Sequence, residues 1–171
     1  MAFKYEWFRK EANFGPVVQN EVSKGTHFTI ESVLMFENEY VALRRPQAVP
    51  HHEVPPRALA GDKPMLYFVH DLPIWGETLT QYVDRIVFEQ AGVVAKRIRV
   101  IDLTMNIYED SQQWALTPYL LVELDKLPVP GTYGNRVTEV VTFNEHTIPD
   151  EFGWYEKAEI EGLIKTIEAS G

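Results

Sequence analysis

The sequence predicts an α+β domain, a mixed β-sheet flanked by helices, and three observations carry that prediction. Apolar residues fall in strand-length runs along most of the chain, only two stretches show a helical apolar stripe, and those two stretches lie far apart. Strands grouped in runs around two separated helices suit a layered sheet-and-helix domain, not a regular βαβ repeat. With 171 residues, 45% of them hydrophobic and 24% charged, the chain is long enough to bury one full core. The expectation is one domain over residues 1–171, with residues 1–27 as an N-terminal extension.

Residues 28–36 (FTIESVLMF) alternate as a strand does, Glu37-Asn38-Glu39 supplies a turn, and residues 40–44 return as a second strand, giving a β-hairpin. Residues 46–64 carry five prolines, two adjacent histidines and a glycine. Proline fixes its own φ and pushes the preceding residue toward extended backbone, so this segment reads as a long loop. The apolar run at 65–69 (MLYFV) suits a buried strand, followed by a turn over 70–76. Leu79, Tyr82, Val83, Ile86 and Val87 then fall at i, i+3, i+4, i+7 and i+8, which predicts a helix over 78–91. Thr78 can cap its start and Gly92 its end. Strands follow at 96–106, 114–124 and 137–143, divided by polar or Pro/Gly-rich turns. A second helix over 156–169 places Ile160, Leu163, Ile164 and Ile167 on one face.

Composition narrows the chemistry. There is no cysteine, so disulfides, thiolate zinc sites and thiol nucleophiles are excluded and reactive groups must be oxygen or imidazole. A formal net charge of −9 opposes attraction to nucleic acid or an anionic membrane. Residues 1–10 mix aromatics with charges and contain no continuous apolar run, so neither a signal peptide nor a membrane span is expected, and a cytoplasmic location is.

Residues 76–93 read G-E-T-L-T-Q-Y-V-D-R-I-V-F-E-Q-A-G-V. This stretch resembles the Nudix box, G-x5-E-x7-R-E-U-x-E-E-x-G-U with U aliphatic, at Glu77, Arg85, Val87, Glu89, Gly92 and Val93. A hairpin ending in Leu43-Arg44-Arg45, a strand just before the box, and a closing Val-Val-Thr-Phe-Asn-Glu segment before a terminal helix are also similar to the Nudix order of elements. The resemblance spans residues 28–168. It implies a Nudix-like α/β/α sandwich in which the box forms a loop-helix-loop holding magnesium on substrate phosphates. It also implies cleavage of a nucleoside diphosphate linked to another group, with magnesium or manganese as cofactor. Carried over residue by residue, it makes Glu89, Glu77 and Arg85 the catalytic candidates.

The departures weigh against that chemistry. Positions 86, 89 and 90 are neighbours on a helix, where three carboxylates would converge on one cation; this chain offers Ile86, Glu89 and Gln90. One acid and a neutral amide make a weaker magnesium site, and an apolar group beside it raises the cost of burying charge. Asp71 stands where the box has its first glycine, and His70-Asp71 where many members have a Gly-Gly pair. These residues bring side chains into the space a ligand would occupy, and Asp71 can supply a replacement carboxylate, so Glu89 and Asp71 are the metal candidates. In the family the Glu77 and Arg85 positions form a supporting salt bridge; an ordinary surface ion pair between Arg85 and Glu89 at i, i+4 explains that pair with no function at all.

Other candidates stand outside the box. Arg44, Arg45, His70 and Asp71 are ligand-binding candidates, the arginines toward a phosphate, although ordinary surface arginines account for them more readily. His51, His52 and Glu53, joined by His70 and Asp71, would make a nitrogen/oxygen metal site if the proline-rich loop folded back; adjacent histidines in extended chain point apart, which opposes it. Trp75, Tyr108, Trp114, Tyr133 and Trp154 can stack on a planar ligand or serve in core and interface. Three functions follow. The first is a Nudix-like protein with an eroded metal site, non-hydrolytic or weakly active, that binds a nucleotide-like small ligand or a partner protein. The second is an active hydrolase using Glu89 with acids such as Glu139 or Glu145. The third is an assembly module, a homodimer among its forms, that packs through the proline-rich loop or the aromatics Tyr5, Trp7 and Phe8.

Overall fold

Strand β2 (Ile30–Phe36) is the hub of the sheet. Around it, a computed structural model describes residues 26–45, 65–74, 76–108 and 113–170. Residues 46–64 with His51, His52 and Glu53, together with Trp75 and the aromatics Tyr5, Trp7 and Phe8, lie outside the described residues. The other strands are β1 (Thr26–Phe28), β3 (Glu39–Arg44), β4 (Leu66–Tyr67), β5 (Val69–Asp71), β6 (Ala95–Tyr108), β7 (Gln113–Leu124) and β8 (Glu139–Phe143). Helix α1 (Leu79–Ala91) lies between β5 and β6, and α2 (Lys157–Ala169) follows β8.

The hairpin predicted at 28–44 forms, and its turn explains the sequence: Glu37 and Asn38 sit at φ 48° and 67°, the left-handed pair that matches the twist of a two-residue hairpin. β2 pairs antiparallel with β3 through Leu34–Val41 and parallel with β7 through Val33–Leu121. Beyond Leu34 and Val41 the two hairpin strands part, and β5 joins β2 (Glu31–His70) while β4 joins β3 (Leu43–Tyr67). The run at 65–69 is therefore two short strands broken at Phe68, not one. His70 and Asp71, expected in a turn, belong to β5. β8 takes the outer side of β3, and β6 the outer side of β7.

Because side chains alternate across a strand, the sheet carries two cores. Ile30, Leu34, Val41, Leu43, Val69, Leu120 and Val122 pack against Tyr82, Val83, Ile86 and Val87 of α1. Val33, Tyr40, Ala42, Leu66, Phe68 and Leu121 pack on the opposite face with Ile160, Ile164 and Ile167 of α2. The result is an α/β/α sandwich, and no helix among the described residues is long and apolar enough to cross a membrane.

Helix α1 is fixed at both ends by the residues the sequence points to. Thr78 Oγ1 accepts from Gln81 N (3.2 Å) while Gln81 Oε1 accepts from Thr78 N (2.9 Å), a reciprocal capping box. Gly92 ends the helix at φ 70°, and a Cβ there would meet Asn135 Nδ2 at 2.8 Å. That amide is itself a cap, donating to the Ala91 carbonyl at 2.8 Å. Tyr82 then ties the helix to the sheet: its hydroxyl lies 2.8 Å from the Ile30 carbonyl and accepts from Asp71 N at 3.0 Å. Burial drives the Tyr82 hydroxyl pKa well above the ordinary tyrosine value, so it stays a donor.

Candidate functional site

Arg85 projects from α1 into a ring of acids. Its Nε lies 2.6 Å from Glu77 Oε1 and its Nη2 donates to Glu77 Oε2 at 3.0 Å, a bidentate pair. Glu77 Oε2 also accepts from Ile74 N at 2.8 Å, which pins the loop before the helix, and Arg85 Nη2 reaches the Leu72 carbonyl at 3.2 Å. The remaining nitrogen, Nη1, lies 3.5 Å from Asp71 and 3.6 Å from Glu89. Hydrogen bonding to Arg85 holds the Glu77 carboxyl below its usual pKa, and Glu77 in turn raises that of Arg85. The i, i+4 contact with Glu89 exists, but Glu77 is the principal partner.

The four residues predicted to act together, Asp71, Glu77, Arg85 and Glu89, are thus brought together with a guanidinium at their centre. The two box positions that lost their acids are used otherwise. Ile86 is wholly buried in the core under α1, and its burial contributes about 1.5–3 kcal/mol to stability. Gln90 donates from Nε2 to the His70 carbonyl at 2.7 Å, fastening the helix to β5, and its Oε1 is buried without a hydrogen-bond partner among the described residues. A divalent cation needs several charged oxygens free to converge on it. Here the acids are gathered on Arg85, and among the described residues no three His, Asp or Glu side chains are placed to hold a metal ion. The donor set does not fit magnesium or manganese.

The remaining candidates divide by face. Arg44 turns to the α2 side, where Nε lies 2.6 Å from Glu139 and Nη2 pairs with Glu151. Burial opposes its charge, but the two carboxylates outweigh this and raise its pKa. Arg45, its neighbour, turns to the α1 side and lies over the Tyr67 ring at 5.5 Å. His70 does not enter the space beside Asp71; its ring points to the α2 side, with Nδ1 3.1 Å from the Phe68 carbonyl and 3.7 Å from Glu31. Glu139 is held by Arg44, and exposed Glu145 pairs with His146 at 3.1 Å; neither joins the Arg85 cluster. Tyr133 packs on Phe88 (5.3 Å) and Trp154 stands edge-on to His70 (5.9 Å), so these aromatics serve different places. The side chains of Tyr108 and Trp114 lie outside the described residues.

Several residues of these clusters escape sequence reading. Tyr67 under Arg45 looked like part of a buried strand, and Glu31 like the polar side of an alternating one. The available signal is register: Tyr67 pairs with Leu43 two residues before Arg45, and Glu31 pairs with His70.

Many solved structures share this architecture. A NUDIX hydrolase from Nitrosomonas europaea superposes with a TM-score of 0.61 at 12% identity, over 85% of this chain and 90% of that one. A UDP-X diphosphatase gives 0.60 at 11% identity, over 98% of this chain and 78% of the other. The NUDIX domain of Shewanella oneidensis NrtR, solved with ADP ribose, gives 0.54 at 15% identity, over 98% and 97%. No family model matches the sequence, and no curated protein does. The chain has the Nudix fold.

Proposed function

We propose that this chain is a Nudix-fold protein that binds a nucleotide-like small ligand on the α1 face and hydrolyses it weakly or not at all. The observation that supports this is the Arg85 cluster: Asp71, Glu77 and Glu89 all lie on one guanidinium, while Ile86 and Gln90 serve core and helix docking. A metal-assisted phosphoanhydride cleavage needs ions that neutralise phosphate oxygens and activate water. With the acids paired to Arg85 and two of the three helix positions neutral, that machinery lacks its ligands. ADP ribose, carried by the NrtR domain, is the first ligand to try.

The test is direct. ADP ribose and other nucleoside diphosphate derivatives are titrated calorimetrically, and product release is followed with magnesium and with manganese, for the native chain and Glu89→Gln. Binding without turnover, unchanged by Glu89→Gln, is the expected result. Metal-dependent turnover abolished by Glu89→Gln would establish an active hydrolase instead. Neither binding nor turnover would overturn the ligand reading.

A further inference from the structure

We infer that Trp154 and Tyr155 form a strap over Glu31 that opens when this carboxyl ionises and closes when it is protonated, a proton-controlled device on the α2 side of the sheet. It is independent of the ligand proposed for the α1 face. Glu31 lies near the start of β2, where it pairs with His70 of β5 on one side and with Tyr119 of β7 on the other. Three side chains from three strands thus stand in a row across the sheet, and the segment before α2 lies over them. Tyr155 packs on the Phe68 ring at 5.7 Å, and Trp154 stands edge-on to His70. The Tyr155 hydroxyl is within hydrogen-bonding reach of both the Glu31 carboxyl and the Tyr119 hydroxyl.

The site suits a neutral carboxyl better than an anion. Glu31 is 7% exposed, and its Oε2 is buried without a hydrogen-bond partner among the described residues. The group of opposite charge that acts on it is His70, with Nδ1 3.7 Å from Oε1, beyond hydrogen-bond length. That nitrogen lies 3.1 Å from the Phe68 carbonyl, which can only accept, so the Nδ1 proton is directed there and not to Glu31. The other groups around it bring no positive charge. Tyr119 and Tyr155 are neutral hydroxyls, Thr104 of β6 bonds Tyr119, and Glu159 of α2 adds negative charge beside Tyr119. Tyr82 of α1 stands on the opposite face, its hydroxyl on the Ile30 carbonyl. Burial accordingly raises the Glu31 pKa, with partial relief from His70 and Tyr155.

An ionised carboxylate with an unsatisfied buried oxygen is unfavourable, and admitting water to that oxygen relieves the cost. The side that can yield is the strap. β2 is hydrogen-bonded to β5 and β7 on its two sides and Phe68 is buried, so those neighbours move only with the sheet. Trp154 is 38% exposed and Tyr155 is only partly buried. Their segment is anchored at both ends. Before it, Phe152 is buried and Gly153 N donates to the Leu66 carbonyl at 3.0 Å; after it, Glu156 opens α2 in a capping box with Glu159. Two residues between these anchors can lift without unravelling helix or sheet, so the opening stays local. The strap is closed while Glu31 holds its proton and lifts as rising pH removes it.

Acrylamide quenching of Trp154 is read as the difference between each chain and the same chain carrying Trp154→Phe, from about pH 4.5 to about pH 9. In the native chain the Trp154 quenching constant should roughly double as pH rises, from a side chain 38% exposed when closed. Its midpoint should lie above the ordinary glutamate value of about 4.3. Glu31→Gln, close in shape and unable to ionise, should give a flat, low profile. Tyr155→Phe keeps the ring and loses the hydroxyl that favours the charged carboxylate, so its midpoint should move up by about half to one pH unit. This arm remains readable if Glu31→Gln fails to fold. A native profile flat over the whole range would overturn the strap, and so would a transition that persists in Glu31→Gln, which would belong to His70. A Tyr155→Phe midpoint equal to or below the native one would overturn it as well, by showing that the hydroxyl does not act on the carboxyl.

Discussion

Glu77 and Glu31 are two carboxylates whose surroundings shift them in opposite directions. Glu77 is held below its usual pKa by Arg85, so the pair's contribution to stability is fully present above the unfolded glutamate value of about 4.3 and is lost as pH falls through the depressed folded value. The urea midpoint of Glu77→Gln should lie well below the native one at pH 7, with the gap closing in acid. A gap that does not narrow as pH falls would mean that packing and not charge connects Glu77 to the fold. Glu31 is buried, one of its oxygens has no hydrogen-bond partner among the described residues, and burial raises its pKa despite His70 opposite and Tyr155 beside it. Its cost is absent below about 4.3 and grows as pH rises toward the raised folded value. Glu31→Gln should therefore gain stability over the native chain at pH 8 and lose that gain at pH 4; equal midpoints at pH 8 would show that burial does not raise the Glu31 pKa. The sequence exposed Glu77 through its spacing from Arg85. It could not expose Glu31, whose neighbours His70, Tyr119 and Tyr155 come from three distant segments.

On the scale of the element, α1 is where sequence and structure agree most closely. Its apolar stripe, Thr78 cap and Gly92 end are local signals, so spacing alone located them. The strands at 65–71 were harder, because a five-residue apolar run does not reveal that Phe68 breaks it between two partners. The same helix permits a test of whether box chemistry can be restored. Ile86→Glu places a carboxylate at a position with no exposure, at a cost of about 3 kcal/mol or more. Gln90→Glu turns the donor facing the His70 carbonyl into an acceptor. The double variant should unfold at a markedly lower urea concentration at pH 7 and recover toward the native midpoint as pH falls and the new acids are protonated. A double variant as stable as the native chain, and stabilised by manganese, would show that the helix can present three acids to a metal after all.

The fold of the whole molecule was legible as an order of elements, because periodicity, proline and glycine are written locally. The division between its two faces was not. Arg44 and Arg45 are adjacent in sequence, yet one meets acids under α2 while the other lies over Tyr67 on the α1 side. That separation follows from alternation along β3 and from the partners β4 and β8, which only the assembled sheet supplies. The proposed nucleotide-like ligand is an anion, and the molecule it approaches has a formal charge of −9. Long-range repulsion from the surface carboxylates reaches roughly 30 Å at 0.01 M salt and about 10 Å at 0.1 M, whereas the attraction of a partly buried guanidinium at contact distance is screened much less. Added salt should therefore remove more repulsion than attraction. The association rate constant of ADP ribose, read by stopped-flow, should rise as sodium chloride increases from about 0.01 to 0.1 M. A rate that falls steeply over the same range, as it does for proteins with an extended basic surface, would show that approaching anions meet a local positive field that outweighs the net negative charge.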